Sequence, residues 1–385
     1  MKKAEKYNGL EIGPIRPPSE ANSLLLRITR NCPWNNCTFC GLYKDQKFSI
    51  RPKEHLFNDI DLIKKCITVL QEASKPENFA NQELLIRNLK KSLGSDLHPV
   101  YYSAANWFRN GMQSIFLQDA NSMLIKPDDM VAILDYIRAN FPEVERITTY
   151  SRSKTIAKIS DENLKRISDA GLNRIHIGME TGCDDILKLI KKGVDKETHI
   201  LAGQKTKKAG FELSEYFMPG LGGNEYSTEN ALETADAFNQ INPDFIRIRT
   251  LALPDATELA EDYKNGVFTR ANDTKMVEEL LLLIQNLNGI TSTIKSDHIL
   301  NLISEVEGTL PHDKEKMLNA LTWFLELSSQ EKTIFRIGRR AGIMHRMSEL
   351  SHPSIRATVE SIIAEEGIND DNIDIVIDEK MKQFI

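Results

Sequence analysis

Three cysteines fall within nine residues, Cys32-Pro-Trp-Asn-Asn-Cys37-Thr-Phe-Cys40, directly after the run Ser-Leu-Leu-Leu-Arg-Ile-Thr-Arg at 23–30. The pattern reads as a strand that ends by releasing a short thiol-bearing loop. An odd number of sulfurs this close makes a poor disulfide framework, because one is left over. Thiolates are the usual holders of iron–sulfur clusters. Three of them leave one iron of a four-iron cube open for chemistry, as a catalytic zinc keeps an open position. A structural zinc site would bring four Cys or His ligands in paired spacings. Here the other cysteines are Cys66 and Cys183, and the nearest histidine is His55. The triplet therefore predicts a [4Fe–4S] centre on Cys32, Cys37 and Cys40. A zinc site and buried or redox thiols are the plainer alternatives.

Composition narrows the class. The 385 residues are long enough to bury a large core. The N-terminal stretch Met-Lys-Lys-Ala-Glu-Lys-Tyr-Asn-Gly has basic residues but no apolar core of a secretory signal. No run is long and apolar enough to cross a bilayer, so no membrane contact is expected. Five cysteines in the whole chain point to a reducing, cytoplasmic setting. A net charge of −6 without a long basic block argues against a broad nucleic-acid surface and leaves room only for a local basic groove.

Strand-like runs recur after 23–30: at 114–119, 146–151, 174–179, 212–218 and 245–251. Helical patterns separate them at 54–73, 127–139, 161–169, 183–191 with 197–209, and 228–240. Pro127 before Asp128 and Asp129, and Ser160 before Asp161 and Glu162, are helix starts. Gly171 and Gly210 sit where helix C-caps belong. Strand–helix alternation of this period predicts an α/β fold with a parallel sheet and right-handed crossovers. The specific expectation is a partial (β/α)6 TIM-like barrel with a C-terminal, mostly helical extension; a flat doubly wound sheet is the alternative. Residues 1–22 form a lead-in, 23–290 the barrel with a helical insertion at 75–110, and 291–385 the extension, helical from about residue 290.

In a parallel barrel the working face is the carboxyl end of the strands. Those ends carry the cysteine loop, then Gln118-Asp119-Ala120-Asn121, Ser151-Arg152, Glu180-Thr181-Gly182, Pro219-Gly220-Leu221-Gly222-Gly223, and Thr250-Leu251. A few placed polar groups around an apolar pocket is how cofactor sites are usually built. Glycines at 220–223 would let backbone approach a ligand. Met218, Leu221 and Leu251 offer an apolar wall, although such residues are ordinary core material.

The cysteine loop with its following Gly-Leu-Tyr-Lys resembles the cluster loop of radical S-adenosylmethionine (SAM) enzymes. The gaps here are four then two residues, whereas three then two is commonest in that superfamily. The segment Ile-His-Ile-Gly-Met-Glu-Thr-Gly-Cys-Asp-Asp-Ile-Leu-Lys-Leu-Ile-Lys-Lys-Gly resembles the fourth-strand segment of its Elongator-, coproporphyrinogen-oxidase- and methylthiotransferase-like branch. The resemblance implies that Glu180 meets the SAM ribose, Lys192 its carboxylate, and Phe39 the adenine. Phe-Met-Pro-Gly-Leu-Gly-Gly resembles the fifth-strand turn, and Ile-Arg-Ile-Arg-Thr-Leu-Ala-Leu-Pro-Asp-Ala-Thr the sixth-strand end. Asp119 and Asn121 carry groups that could accept from the SAM amino group, although the glycine-rich turn expected after the second strand, which would make that contact, is replaced here by 118–121. Ser151 and Arg152 complete the candidate set. The likeness covers roughly 20–260.

What is missing also informs. Cys66 lies in an apolar helical stretch and reads as core. Cys183 opens a helix, where thiol pKa values fall, and is a minor candidate for a reactive thiol. Two spare thiols are too few for a second cluster. About twenty residues before the first strand leave no fused N-terminal cobalamin domain. The His-Asn-x-x-Tyr-Trp motif of haem-chaperone relatives is absent. Ser296-Asp297-His298 reads as structural rather than as a substrate contact. The resemblance therefore implies SAM cleavage to a 5′-deoxyadenosyl radical that takes hydrogen from an unidentified substrate, in an oxidoreductase, lyase or methyltransferase reaction. An external electron donor of flavodoxin or ferredoxin type is required. The alternatives are a cluster carrier or haem/metal chaperone on the same scaffold, and a zinc-stabilised scaffold protein.

Overall fold

The computed structural model describes residues 5–94 and 97–384. The chain divides into two compact units, one comprising Met1–Pro33, Asp45–His176 and Lys205–Glu212, the other Trp34–Lys44, Ile177–Gln204 and Leu213–Ile385.

In the first unit the run 23–30 is not one strand but two. β1 (Leu24–Arg27) pairs in parallel with β4 (Ser114–Gln118), which pairs in parallel with β5 (Arg146–Ser151). After β1 the chain bends away, and β2 (Thr29–Arg30) pairs antiparallel with β3 (Ser49–Ile50). Ile28 takes both sides of the break: its N–H donates to the Gln118 carbonyl, and its own carbonyl accepts from Arg51 N–H at 3.0 Å. The two feet of the cysteine-bearing segment are thus bonded to each other.

Helices α1 (Lys53–Ala73), α2 (Gln82–Leu93), α3 (His98–Arg109), α4 (Pro127–Asn140), α5 (Ser153–Lys158) and α6 (Asp161–Asp169) follow. α2 and α3 occupy the segment read as a helical insertion, and α1 packs on α3 and α4. Ser160 caps α6, accepting from Asn163 N–H at 3.2 Å, and Gly171 follows that helix at φ +106°, the conformation glycine tolerates best. The lead-in contributes a buried acid. Glu20 accepts from Ser23 Oγ at 2.6 Å and lies 3.4 Å from Arg146, 3.9 Å from Arg174 and 4.0 Å from His176.

β6 (Arg174–Glu180) is followed by the remaining strands: β7 (Glu212–Phe217), β8 (Phe245–Ile248), β9 (Thr293–Lys295) and β10 (Gly308–Thr309). The sheet order is β1-β4-β5-β6-β7-β8-β9-β10, mostly parallel, with β10 antiparallel to β9. The fold is the expected α/β architecture, and this sheet has two more strands than the periodicity gave. The chain does not simply turn helical near residue 290. Thr293-Ile294-Lys295 joins β8 in parallel register before the helices begin, because its β-branched residues suit a pleated edge.

The second unit carries α7 (Asp184–Leu189), most of α8 (Lys196–Lys208), α9 (Ser227–Ile241), α10 (Glu258–Lys264), α11 (Asp273–Asn286), α12 (Lys314–Glu326), α13 (Ser329–Arg340), α14 (Pro353–Glu365) and α15 (Ile373–Lys382). The fully buried Asp273 of α11 accepts from Arg340 at 2.5 Å and from Arg336 at 3.2 Å, both on α13. Burial would raise its pKa, but the two guanidiniums outweigh that and push it down to about 2.

A depressed folded-state pKa contributes stability above the unfolded value near 4, which is lost as pH falls toward about 2. Asp273→Asn removes the charge, leaving the buried Arg340 without its carboxylate and Arg336 with Asp374 alone. The expected result in urea unfolding at pH 7 is a loss of about 3 kcal/mol, with weaker acid dependence between pH 4 and 2 than in the parent protein.

Candidate functional site

The cysteine loop is tied down in each unit by its own bonds. In the first, the β2–β3 pairing closes the base of segment 31–48. In the second, Thr38 N–H donates to Ile190 O at 3.0 Å, and Thr38 O accepts from Leu259 N–H at 3.0 Å. Trp34 Nε1 donates to Lys191 O at 2.7 Å. A side chain at Gly193 would run into the Trp34 indole, so glycine is required there. The tip is therefore fastened to the segment after α7 and to the start of α10.

Cys32, Cys37 and Cys40 are partly exposed, and no cysteine of the chain is in a disulfide. Among the described residues, no three His, Cys, Asp or Glu side chains are gathered closely enough to hold a metal ion as they stand. The donor chemistry nonetheless fits a thiophilic centre: residues 32–40 hold three sulfurs and no carboxylate, imidazole or amine, and soft thiolates select iron–sulfur clusters over hard cations.

Glu180 ends β6 in the left-handed region at φ +69°. A non-glycine residue costs of order 1 kcal/mol or more there, and such strain gathers at working sites. Its carboxylate meets Lys192 Nζ at 3.2 Å, and Lys192 lies 5.8 Å from the centroid of the Phe39 ring. Phe39 and Met218 pack on a buried apolar cluster that includes Leu221, Leu251, Cys183, Ile186 and Ile190. Six candidates, Phe39, Glu180, Lys192, Met218, Leu221 and Leu251, thus share one neighbourhood. Leu221 and Leu251 are 0% and 1% exposed, so they act as floor rather than open wall.

The remaining candidates belong to the first unit. Asn121, after β4, accepts from Ser151 Oγ at 3.2 Å and from Arg152 N–H at 3.1 Å, and donates to Thr155 Oγ1 at 2.8 Å. Asp119 is engaged elsewhere: Arg27 donates to it at 2.8 Å and Asn31 N–H at 3.2 Å. It thereby holds the residue just before Cys32.

Some readings change. The glycines at 220–223 give way to protein rather than leaving room for a ligand: added side chains would strike Met276 at Gly220, Ile186 and Tyr226 at Gly222, and Phe268 at Gly223. Cys183 is not an activated thiol, because burial raises its pKa and outweighs the backbone N–H groups of Ile186 and Asp185. Cys66 is fully buried and pushed up to about 11 by that burial. Asp297 pairs with Arg247 and, at 2.8 Å, with Arg249, while burial and Arg249 push His298 down to about 4.

Sequence reasoning missed Glu215, an acid on β7 with no exposed surface. Burial, then the nearby Glu180, push its carboxyl well above the ordinary range, and Lys192 opposes them. The one available signal was an acid within an otherwise apolar strand. It also missed Glu279, which accepts from Gly220 N–H at 3.0 Å, Asn230 at 2.7 Å and Ser227 at 2.9 Å, and is pushed up to about 8 by burial.

In the first unit the β2–β3 pairing closes the base of the three-thiol loop, and in the second Glu180 at the end of β6 pairs with Lys192. The chain belongs to the radical SAM superfamily, whose sequence model matches residues 26–235, more than half of it. These enzymes bind a [4Fe–4S] cluster and SAM. Two curated relatives are named tRNA uridine(34) acetyltransferase. The protein from Methanocaldococcus infernus is 29% identical over 125 residues, 31% of this chain and 22% of the relative. The one from Methanocaldococcus jannaschii is 25% identical over 119 residues, with the same coverage of each chain. The chain therefore matches about a fifth of those proteins' length. Among solved structures, coproporphyrinogen III oxidase from Escherichia coli aligns with a TM-score of 0.45 and 15% identity, over 69% of this chain and 52% of that one.

Thiol accessibility gives a direct check. Iodoacetamide on the metal-free protein at pH 7.5, followed by peptide mass mapping, is expected to modify Cys32, Cys37 and Cys40 at least tenfold faster than Cys66 and Cys183. Equal rates would contradict the burial of the latter two.

Proposed function

We propose that Cys32, Cys37 and Cys40 hold a [4Fe–4S] cluster and that the protein cleaves SAM, using the resulting radical to take hydrogen from an organic substrate. When bound and reduced by a flavodoxin- or ferredoxin-type donor, the cluster supplies the electron that splits SAM into methionine and a 5′-deoxyadenosyl radical. The chain's own residues bind and orient. Glu180 accepts from the ribose hydroxyls, Lys192 neutralises the methionyl carboxylate, and Phe39 lies along the adenine over the apolar floor. In the first unit Asn121, Ser151 and Arg152 supply polar groups for SAM, and Asp119 steadies the loop through Asn31. The observation that carries this reading is the all-sulfur loop, held at its base and tip, within the span matched by the superfamily. The curated relatives are named for a tRNA uridine, so tRNA is the first substrate class to assay alongside small molecules.

The test is anaerobic reconstitution with iron and sulfide, reduction with dithionite, addition of SAM and quantification of 5′-deoxyadenosine. The parent protein is expected to form it and Cys37→Ala to lose it at least a hundredfold. Glu180→Ala should weaken SAM binding about tenfold, roughly 1.4 kcal/mol, with the cluster content unchanged. A brown, cluster-bearing protein that forms no 5′-deoxyadenosine with any substrate class would favour a cluster carrier. A colourless zinc protein would overturn both.

A further inference from the structure

In the first unit the lead-in runs past the base of the cysteine-bearing segment, and one of its carboxylates binds both feet. Glu11 takes Arg30 in a two-pronged grip, Oε2 accepting from Nε and Oε1 from Nη2, each at 2.6 Å. The same Oε1 lies 3.1 Å from Nε of Arg51, whose side chain has no exposed surface. Arg30 ends β2 and Arg51 directly follows β3, so a single acid spans the strand pair from which segment 31–48 departs. Arg51 carries the network inward, donating to Arg27 O and to Asp59 Oδ2 at 2.8 Å each. Burial would raise the Glu11 pKa, but Arg30 and Arg51 outweigh it and hold the carboxyl below its ordinary range.

The strand pair needs such a clamp. β2 and β3 contribute two residues each, and a lone two-stranded ribbon is marginal in water even when longer. Arg30 Nη1 adds one bond across it, to Ser49 Oγ at 3.2 Å. Bidentate bonds between guanidinium and carboxylate are roughly twice as strong as neutral ones, and a buried partner such as Arg51 is screened less by salt. An exposed ion pair contributes little. Glu5, which reaches Arg30 at 2.6 Å from a 44% exposed side chain, is that weaker case. The backbone carrying Glu11 is itself anchored on either side. Tyr7 OH donates to Asp59 Oδ1 at 2.7 Å, Gly13 N–H to Gln118 Oε1 at 2.8 Å, and Gln118 Nε2 to Ile15 O at 2.6 Å.

We propose that Glu11 is a positioning residue for the cysteine loop: by clamping both feet of segment 31–48 it sets how well the loop retains its cluster. That the retained group is a cluster rests on the radical SAM reading; the clamp itself does not. The test compares the full-length parent with Glu11→Gln, Glu11→Asp and Glu5→Gln. In the metal-free proteins, hydrogen–deuterium exchange of the amides in 29–32 and 46–51 is expected to quicken at least tenfold in Glu11→Gln, with exchange in α9 and α11 unchanged. After reconstitution, the cluster of that variant should bleach at least fivefold faster in excess EDTA. Glu11→Asp keeps the charge on a shorter stem and should fall between, which supplies the reading if the glutamine variant does not fold. Glu5→Gln should match the parent in both measurements. Parent-like exchange and bleaching in Glu11→Gln, or faster exchange throughout the chain, overturns the proposal. A parent protein that takes up no cluster overturns the radical SAM reading instead, and the exchange comparison then still decides whether Glu11 is the clamp.

Discussion

The pairing of Thr29–Arg30 with Ser49–Ile50 is the constraint on which the candidate site depends. A loop of eighteen residues left open at both ends would spread its three thiols over many conformations, at a cost of about 1–2 kcal/mol per residue to order. Bonding the feet together removes most of that search. Trp34, Thr38 and the carbonyls of Ile190 and Lys191 then fix the tip.

The same segment after α7 does two things. Its backbone carbonyls hold the loop, and Lys192, two residues after Ile190, pairs with Glu180. Left-handed backbone at Glu180 and Lys191 turns the chain sharply at both places. Strain at both ends of one short helix is tolerated because the loop bonds, the ion pair and the apolar cluster around Ile186 and Ile190 hold it together. Beneath, Glu279 grips the Gly220 turn and packs the glycines against protein. Polar groups on the strand ends thus stand on a floor that is itself rigid.

Much of this was legible in the chain. Pro127, the acids after it and Ser160 marked helix starts, because caps act within one turn. Strand positions were readable from β-branched and apolar runs. The break at Ile28 was not, since it depends on which distant partner its amide chooses. β9 was too short to show a period. At the site, Glu180, Lys192 and Phe39 were found by pattern, and they meet in space. Glu215 and the bond from Arg27 to Asp119 were missed because both arise from strands that pair across long stretches of sequence. Cys183 was misjudged for a related reason: a helix start is visible in sequence, whereas the burial that outweighs it is not.

The central claim is that the three thiols hold a cube with one iron open to SAM. Electron paramagnetic resonance of the dithionite-reduced, reconstituted protein, recorded with and without SAM, tests it most directly. The account predicts a single [4Fe–4S]⁺ signal whose g-values shift when SAM is added, absent from the Cys32→Ala, Cys37→Ala and Cys40→Ala variants. A spectrum unchanged by SAM, or a cluster that survives loss of all three cysteines, would contradict it.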